Sequence, residues 1–256
     1  MRKRIRRIGI LALAPALALA VSPLCVGCTR SLRIDPVERG AESVATEDGL
    51  LRVSTREVGA AYLRPGVRFA NYHAVRIDPC IAFYQSPPVE PSIFRRKIGN
   101  YRLSAERMDR LTRSVREAFE RGVAASVNFQ IVGQPGPGVL QASCRIVDLV
   151  WEVPDARGGE TFWTKRTGIM TLVLDLQDAE SGAVLARLAD RREIRPVGAG
   201  LSGGFESRPV NTWAGVRDVS ARWGRILREA LDALYDHPPV EAFPPSDDET
   251  SKAAPS

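Results

Sequence analysis

Apolar and polar residues alternate in several stretches of the chain and recur at helical spacing in two. Val75 and Ile77, then Ile81 and Phe83, alternate on either side of Pro79, which predicts a strand interrupted or ended by a bulge. Ser104 stands before Met108, Leu111, Val115, Ala118 and Phe119, a single apolar stripe at spacings of three and four. The spacing predicts a helix capped by Ser104 and stopped by Gly122. Val127, Phe129 and Ile131 predict a second strand, and Val139 to about Val153 a long third one. Met170, Leu172, Leu174 and Leu176 predict a fourth. Asp178-Ala179-Glu180-Ser181-Gly182 then turns the chain into a fifth, from Val184 to about Ile194. Thr212 to Tyr235 reads as a second helix, with Val216, Trp223, Leu227, Leu231 and Leu234 on one face and His237-Pro238-Pro239 ending it.

The order β-α-β-β-β-β-α predicts an α/β fold of the α+β kind. It has a mixed sheet of about five strands and both helices packed on one face. The first strand, the crossover helix and a later strand would form one right-handed unit. Residues 85–102 read as a Pro-rich, basic loop.

The two ends have a different texture. Residues 1–7 are basic, and Ile8 to Val21 are without exception apolar, Gly or Pro. This is the short apolar region of an export signal, below the ~20 residues needed to span a bilayer. Small and turn-prone residues lead to Val26-Gly27-Cys28. The segment resembles a bacterial lipoprotein signal, in which a Cys after a small residue becomes the acylated first residue of the mature chain. Cys28 after Gly27 fits that place; Cys25 does not, because Leu24 is too bulky before a cleavage site. An ordinary cleaved signal without lipid is the alternative. Thr29 replaces the Asp that retains many such proteins at the inner membrane, so the resemblance implies the outer membrane, facing the periplasm, with the inner membrane as the alternative. The expected organisation is a signal over 1–27, a lipidated N-terminus and tether over 28–60, a globular domain over 61–236, and a Pro-, Ser- and acid-rich tail over 237–256 that has little to bury.

Charge changes the picture once it is located. The whole chain carries +6, but five of its 36 basic residues precede residue 8. Without them 31 face 30 acidic residues, a net of +1. The footprint of a nucleic-acid binder leaves with the signal, and no nucleic-acid partner is expected. The remaining body, with 44% hydrophobic and 26% charged residues over the chain, has the composition of an ordinary globular domain.

The stretch Tyr62 to Tyr235 resembles the bacterial lipoproteins grouped as domain of unknown function 3313. The likeness rests on Tyr62-Leu63-Arg64-Pro65-Gly66 before Tyr72, on Val75-Arg76-Ile77-Asp78-Pro79, and on Pro135-Gly136-Pro137-Gly138-Val139-Leu140. Leu174-Asp175-Leu176, Ser181-Gly182-Ala183-Val184-Leu185-Ala186 and the Trp-containing last helix complete it. The resemblance implies localisation and fold class and carries no catalytic residues with it.

Candidate chemistry is sparse. Gly200-Leu201-Ser202-Gly203-Gly204 has the form G-x-S-x-G, but a nucleophile elbow needs a helix directly after the serine, and Phe205-Glu206-Ser207-Arg208-Pro209 is a poor one. Gly198 to Gly203 also has the form G-x-G-x-x-G, in the wrong place for a dinucleotide fold. His73 and His237 are the chain's two histidines and fall outside ligand spacing, so no metal or cofactor is expected. Arg95-Arg96-Lys97 could meet lipid phosphates, against a simpler reading as a solvated loop. Cys80 and Cys144 are the two thiols of the mature domain besides Cys28. Sharing a face in register, they would meet the geometry of a disulfide; otherwise they are two buried thiols packing as small hydrophobes. Two functions stand side by side. One is a non-catalytic lipoprotein held at the membrane through its anchor and binding an envelope protein or a glycan. The other is a periplasmic serine hydrolase using Ser202.

Overall fold

A computed structural model describes residues 35–36, 45–85, 101–153, 162–164, 166–196, 205–207 and 209–241. Its elements in chain order are β1 (Asp35–Pro36), β2 (Leu51–Ser54), β3 (Ala60–Leu63), a 3-10 turn (Phe69–Asn71), β4 (Ala74–Ile77) and β5 (Ile81–Tyr84). Then come α1 (Ala105–Ala124), β6 (Gln130–Ile131), β7 (Val139–Trp151), β8 (Phe162–Thr164), β9 (Gly168–Asp178), β10 (Val184–Ile194), β11 (Phe205–Ser207) and α2 (Pro209–Asp236). The fold class is the expected mixed α+β, with a larger sheet. Among the described residues nine strands share one sheet, ordered β1-β2-β3-β10-β9-β7-β4-β6, with β5 also on β7. β8 and β11 form a separate two-stranded ladder.

The long central strands are those whose alternation is plainest. β7, β9 and β10 pair antiparallel over their lengths, Cys144 opposite Leu174 and Leu174 opposite Leu188. Antiparallel partners share a face. One cross-strand row therefore runs Val53–Ala61–Leu188–Leu174–Cys144. It is apolar, and it faces α2. The adjacent row, Arg52–Tyr62–Arg187–Asp175–Ser143, lies on the opposite face and is mostly polar. The sheet thus has the one-sided burial of an antiparallel sheet covered on one face by helices.

Ser104 accepts a hydrogen bond from the Arg107 amide at 3.4 Å, the expected cap. Leu111, Val115, Ala118, Phe119 and Val123 form the buried stripe of α1. Gly122 does not stop this helix, which runs to Ala124. It is instead where α2 crosses: a Cβ on Gly122 would lie 2.2 Å from the Gly224 carbonyl oxygen, and one on Gly224 would lie 2.2 Å from that of Ala118. A glycine that permits close approach of two backbones looks, in one sequence, like a glycine that ends a helix.

Pro79 interrupts the first strand as expected, splitting it into β4 and β5, which lie end to end on the same side of β7. Three further expectations are corrected. The second strand shrinks to Gln130–Ile131, because the Ser126 hydroxyl accepts from the Asn128 and Phe129 amides and holds the preceding residues in a turn, leaving Val127 88% exposed. The segment 28–60, taken as a tether, contains β1, β2 and the first residue of β3, with Leu50, Leu51 and Val53 buried. Runs of two to four residues are too short for alternation to announce them. At the other end the packed chain extends past 236: Val240 is buried and its carbonyl accepts from the Gly66 amide at 2.9 Å.

Candidate functional site

The residues that could carry chemistry separate into three places. The first is the break between β4 and β5. Pro79 ends the β4 ladder, and the chain re-enters beside β7 one residue before the Ile81–Arg145 pair. Cys80 thereby comes beside Cys144 at the end of the apolar row, with a Cα–Cα distance of 4.7 Å and the two sulfurs bonded. Both side chains are buried. On the other face of the same break, Asp78 accepts from Arg76 Nη2 at 2.8 Å, Gln141 Nε2 at 2.7 Å and Ser143 Oγ at 2.8 Å. A groove of about 460 Å³ opens here between β4, α1 and the end of β6, with Arg116 and Glu120 paired across its helical wall. Its two cations are each matched by a carboxylate, so it presents polarity with little net charge.

The second place is the polar face of the sheet. Asp175 is buried beneath two guanidinium groups, Arg187 Nε at 2.6 Å and Arg145 Nη2 at 2.8 Å, and Arg187 reaches on to Asp48. These bonds raise the Arg187 pKa, the Asp175 hydrogen bond most of all. The Asp48 carboxyl is held below its ordinary range, first by the Thr46 hydroxyl. At the end of β9, Asp178 accepts from the Ser181 amide and hydroxyl and from Tyr72, and these donors lower its pKa, the Ser181 amide foremost. Burial, then the Asp178 hydrogen bond and charge, push Tyr72 up to about 12. The charges of Asp175, Arg145, Arg187, Asp48 and Asp178 are each spent on another protein group, which is how a fold fixes its register rather than how it poises an acid or base.

The third place lies between α2 and the β2–β3 hairpin. An apolar cavity of about 60 Å³ is lined by Val53, Ala61, Leu174, Leu188, Ile226 and Leu227, among others. Deeper in, buried Asp190 accepts from Trp223 Nε1 at 2.8 Å and Arg192 Nε at 2.6 Å, tying α2 to β10. No sequence pattern announced that network; an Asp alternating into the apolar face of β10 was its one trace.

Of the residues singled out from sequence, Cys80 and Cys144 are brought together. Cys28, Ser202, the whole Gly-rich loop 198–204 and Arg95-Arg96-Lys97 lie outside the described residues. His73 is exposed, and His237 Nδ1 lies 2.6 Å from the Pro238 carbonyl oxygen. Among the described residues no three His, Cys, Asp or Glu side chains are grouped to hold a metal ion. No described helix is long and apolar enough to cross a membrane.

A family model described as Protein of unknown function (DUF3313) matches residues 42–224. The chain belongs to that family. The match begins ahead of the expected domain boundary at 61, so the DUF3313 unit includes strand β2, which the sequence had left in the tether. No curated protein matches this DUF3313 chain. Among solved structures, a PelC dodecamer from Paraburkholderia phytofirmans is 11% identical with a TM-score of 0.33, covering 70% of this chain and 96% of that one. A candidate lipoprotein from Caulobacter crescentus is 16% identical with a TM-score of 0.33, covering 50% and 86%. A Xanthomonas campestris protein of the DUF330 family is 10% identical with a TM-score of 0.37, covering 71% and 93%. At these scores the likeness carries no argument about activity.

Proposed function

We propose that this DUF3313 chain is exported as a lipoprotein precursor, acylated at Cys28, and that it holds a non-catalytic binding or assembly domain at the outer membrane, facing the periplasm. The carrying observation is Gly27-Cys28 directly behind a basic and then apolar leader. The joined pair Cys80–Cys144 supports export, because such bonds persist in oxidising compartments and not in the cytosol. The pairing of Asp35 and Pro36 with Ser54 and Val53 supports a short leash. Six residues lie between Cys28 and Asp35, so Asp35 is within roughly 25 Å of Cys28 at full extension. One acyl chain holds a protein only marginally, so stable retention takes two or more. The partner is an envelope protein or a glycan. The pairing of Asp78, Asp175 and Asp178 with other protein groups supports a binding role over a catalytic one.

Labelling cells with a radioactive fatty acid tests the anchor. The precursor should take up label, and Cys28→Ser should lose it. Label retained in the variant, or absent from both, refutes acylation at Cys28. Fractionation of the labelled protein between the two membranes tests the placement.

A further inference from the structure

From Ile77 to Ile81 the chain advances four residues, while their partners on β7, Ala142 and Arg145, are three apart. The break at Pro79 therefore holds one residue more than β7 does. A shift of one residue turns every later side chain to the other face. Ile81 and Phe83, which continue the alternation of Val75 and Ile77, thus come out on the polar face, 49% and 52% exposed. Cys80, Ala82 and Tyr84 take the inward places and pack against the core. This register runs against the sequence pattern, since the small Ala82 stands opposite buried Ile146 while Ile81 and Phe83 face out. The Cys80–Cys144 bond fixes the inserted residue beside β7. Tyr84 adds a hydrogen bond, its hydroxyl accepting from the Leu103 amide at 2.6 Å.

A second register lies one residue away. If β5 advances by one along β7, Ile81 takes the place of Ala82 opposite Ile146, and Phe83 takes that of Tyr84 opposite Leu149. Pro79 does not obstruct it. The Asp78 amide points at β7, donating to the Ala142 carbonyl at 3.0 Å, so the nitrogen of the next residue points away. The Asp78 bonds to Gln141 and Ser143 precede the slip and are kept. The slipped register loses the Tyr84–Leu103 bond and gains the burial of two large apolar side chains, which is the larger effect.

We propose that the Cys80–Cys144 bond is a redox-set register lock: bonded, it holds Ile81 and Phe83 on the polar face, and reduced by a dithiol it lets β5 slip one residue and turn both towards the helices. One thiolate of the dithiol attacks Cys80 Sγ, on the more exposed of the two cysteines at 7% against 3%, and Cys144 leaves as thiolate. The second thiolate of the reductant displaces Cys80 and closes the reductant's own disulfide. Two electrons and two protons end on the two cysteines. The lock does not depend on acylation at Cys28, so either can fail while the other stands.

The full chain carrying a trifluoromethyl analogue of phenylalanine at position 83 tests it. The reading is the broadening of the fluorine resonance by a soluble gadolinium chelate, before and after treatment with dithiothreitol. Broadening should fall by roughly threefold or more on reduction, because the side chain turns inward. The double variant Cys80→Ala, Cys144→Ala should show the reduced value with or without dithiothreitol. The same probe at exposed Arg56 should not change. In that double-variant background, oxidation should join Ile81→Cys to Ile146→Cys and not to Arg145→Cys. Unchanged or increased broadening at position 83 on reduction overturns the proposal, as does joining of the Ile81→Cys, Arg145→Cys pair in place of the other. Global unfolding of the reduced wild type, read from its tryptophan emission, also overturns it.

Discussion

Gly224→Ala probes the close backbone crossing of α1 and α2. In a helix interior, Ala is favoured over Gly by about 1 kcal/mol, so propensity alone predicts a more stable protein. The crossing predicts the reverse. The new Cβ would sit 2.2 Å from the Ala118 carbonyl oxygen and 2.7 Å from its carbon. Both obstacles are backbone, so no rotamer change relieves them. Ordinary contact begins at about 3.4 Å, so the helices must separate by roughly 1 Å. That loosens the packing of Val115, Phe119, Trp223 and Leu227, all buried at this layer. Overpacking costs about 1–3 kcal/mol, and an obstacle of backbone places this case at the upper end. Set against the propensity gain, the net loss is about 2 kcal/mol, a fall in melting temperature of roughly 4–8 °C for a domain of this size. The measurement is the urea midpoint of Gly224→Ala beside wild type, with Gly133→Ala as control because a Cβ there meets nothing within 4 Å. Gly122→Ala should cost a similar amount. The double variant should cost less than the sum, because separating the helices once relieves both. A Gly224→Ala protein as stable as wild type, or more so, refutes the crossing.

Asp148 holds φ at +52° in the bulge where β7 slips against β9; Asp148→Gly should therefore raise stability by about 1 kcal/mol and Asp148→Val lower it, read from the same midpoints. Asp190→Ala strips the acceptor from Trp223 and Arg192 and should cost about 1–3 kcal/mol, with a shift in tryptophan fluorescence; an unchanged midpoint would show that α2 is not held there. Tyr72 keeps its proton to about pH 12 in the folded chain, against an ordinary value of 10. The folded state binds the proton more tightly, so this contribution is complete below pH 10 and lost as pH rises towards 12. Phenolate absorbance should show a step near pH 12 that Tyr72→Phe removes; loss of a step near pH 10 instead would contradict the Asp178 contact.

Local periodicity, visible in the sequence alone, determined both helices, the three long strands and the turn at Asp178. Each of these writes its burial into spacings of two or of three and four over ten or more residues. The family was also legible, being a pattern of residue type along the chain. Only the tertiary structure decided what depends on residues far apart in sequence. Periodicity shows that Cys144 faces inward, but not that Pro79 shifts the chain so that Cys80 stands beside it. Gly122 carries no side chain by which a helix stop could be told from a helix crossing; that distinction belongs to Gly224, about a hundred residues away. The hairpin β2–β3 is strand because β10 offers it an edge, since four residues have too few side chains to declare a period. Asp190 reads as a polar interruption until α2 brings Trp223 to it. Strand order, register and the pairing of buried charge follow from which surfaces meet, and a spacing along one strand holds no information about its neighbour.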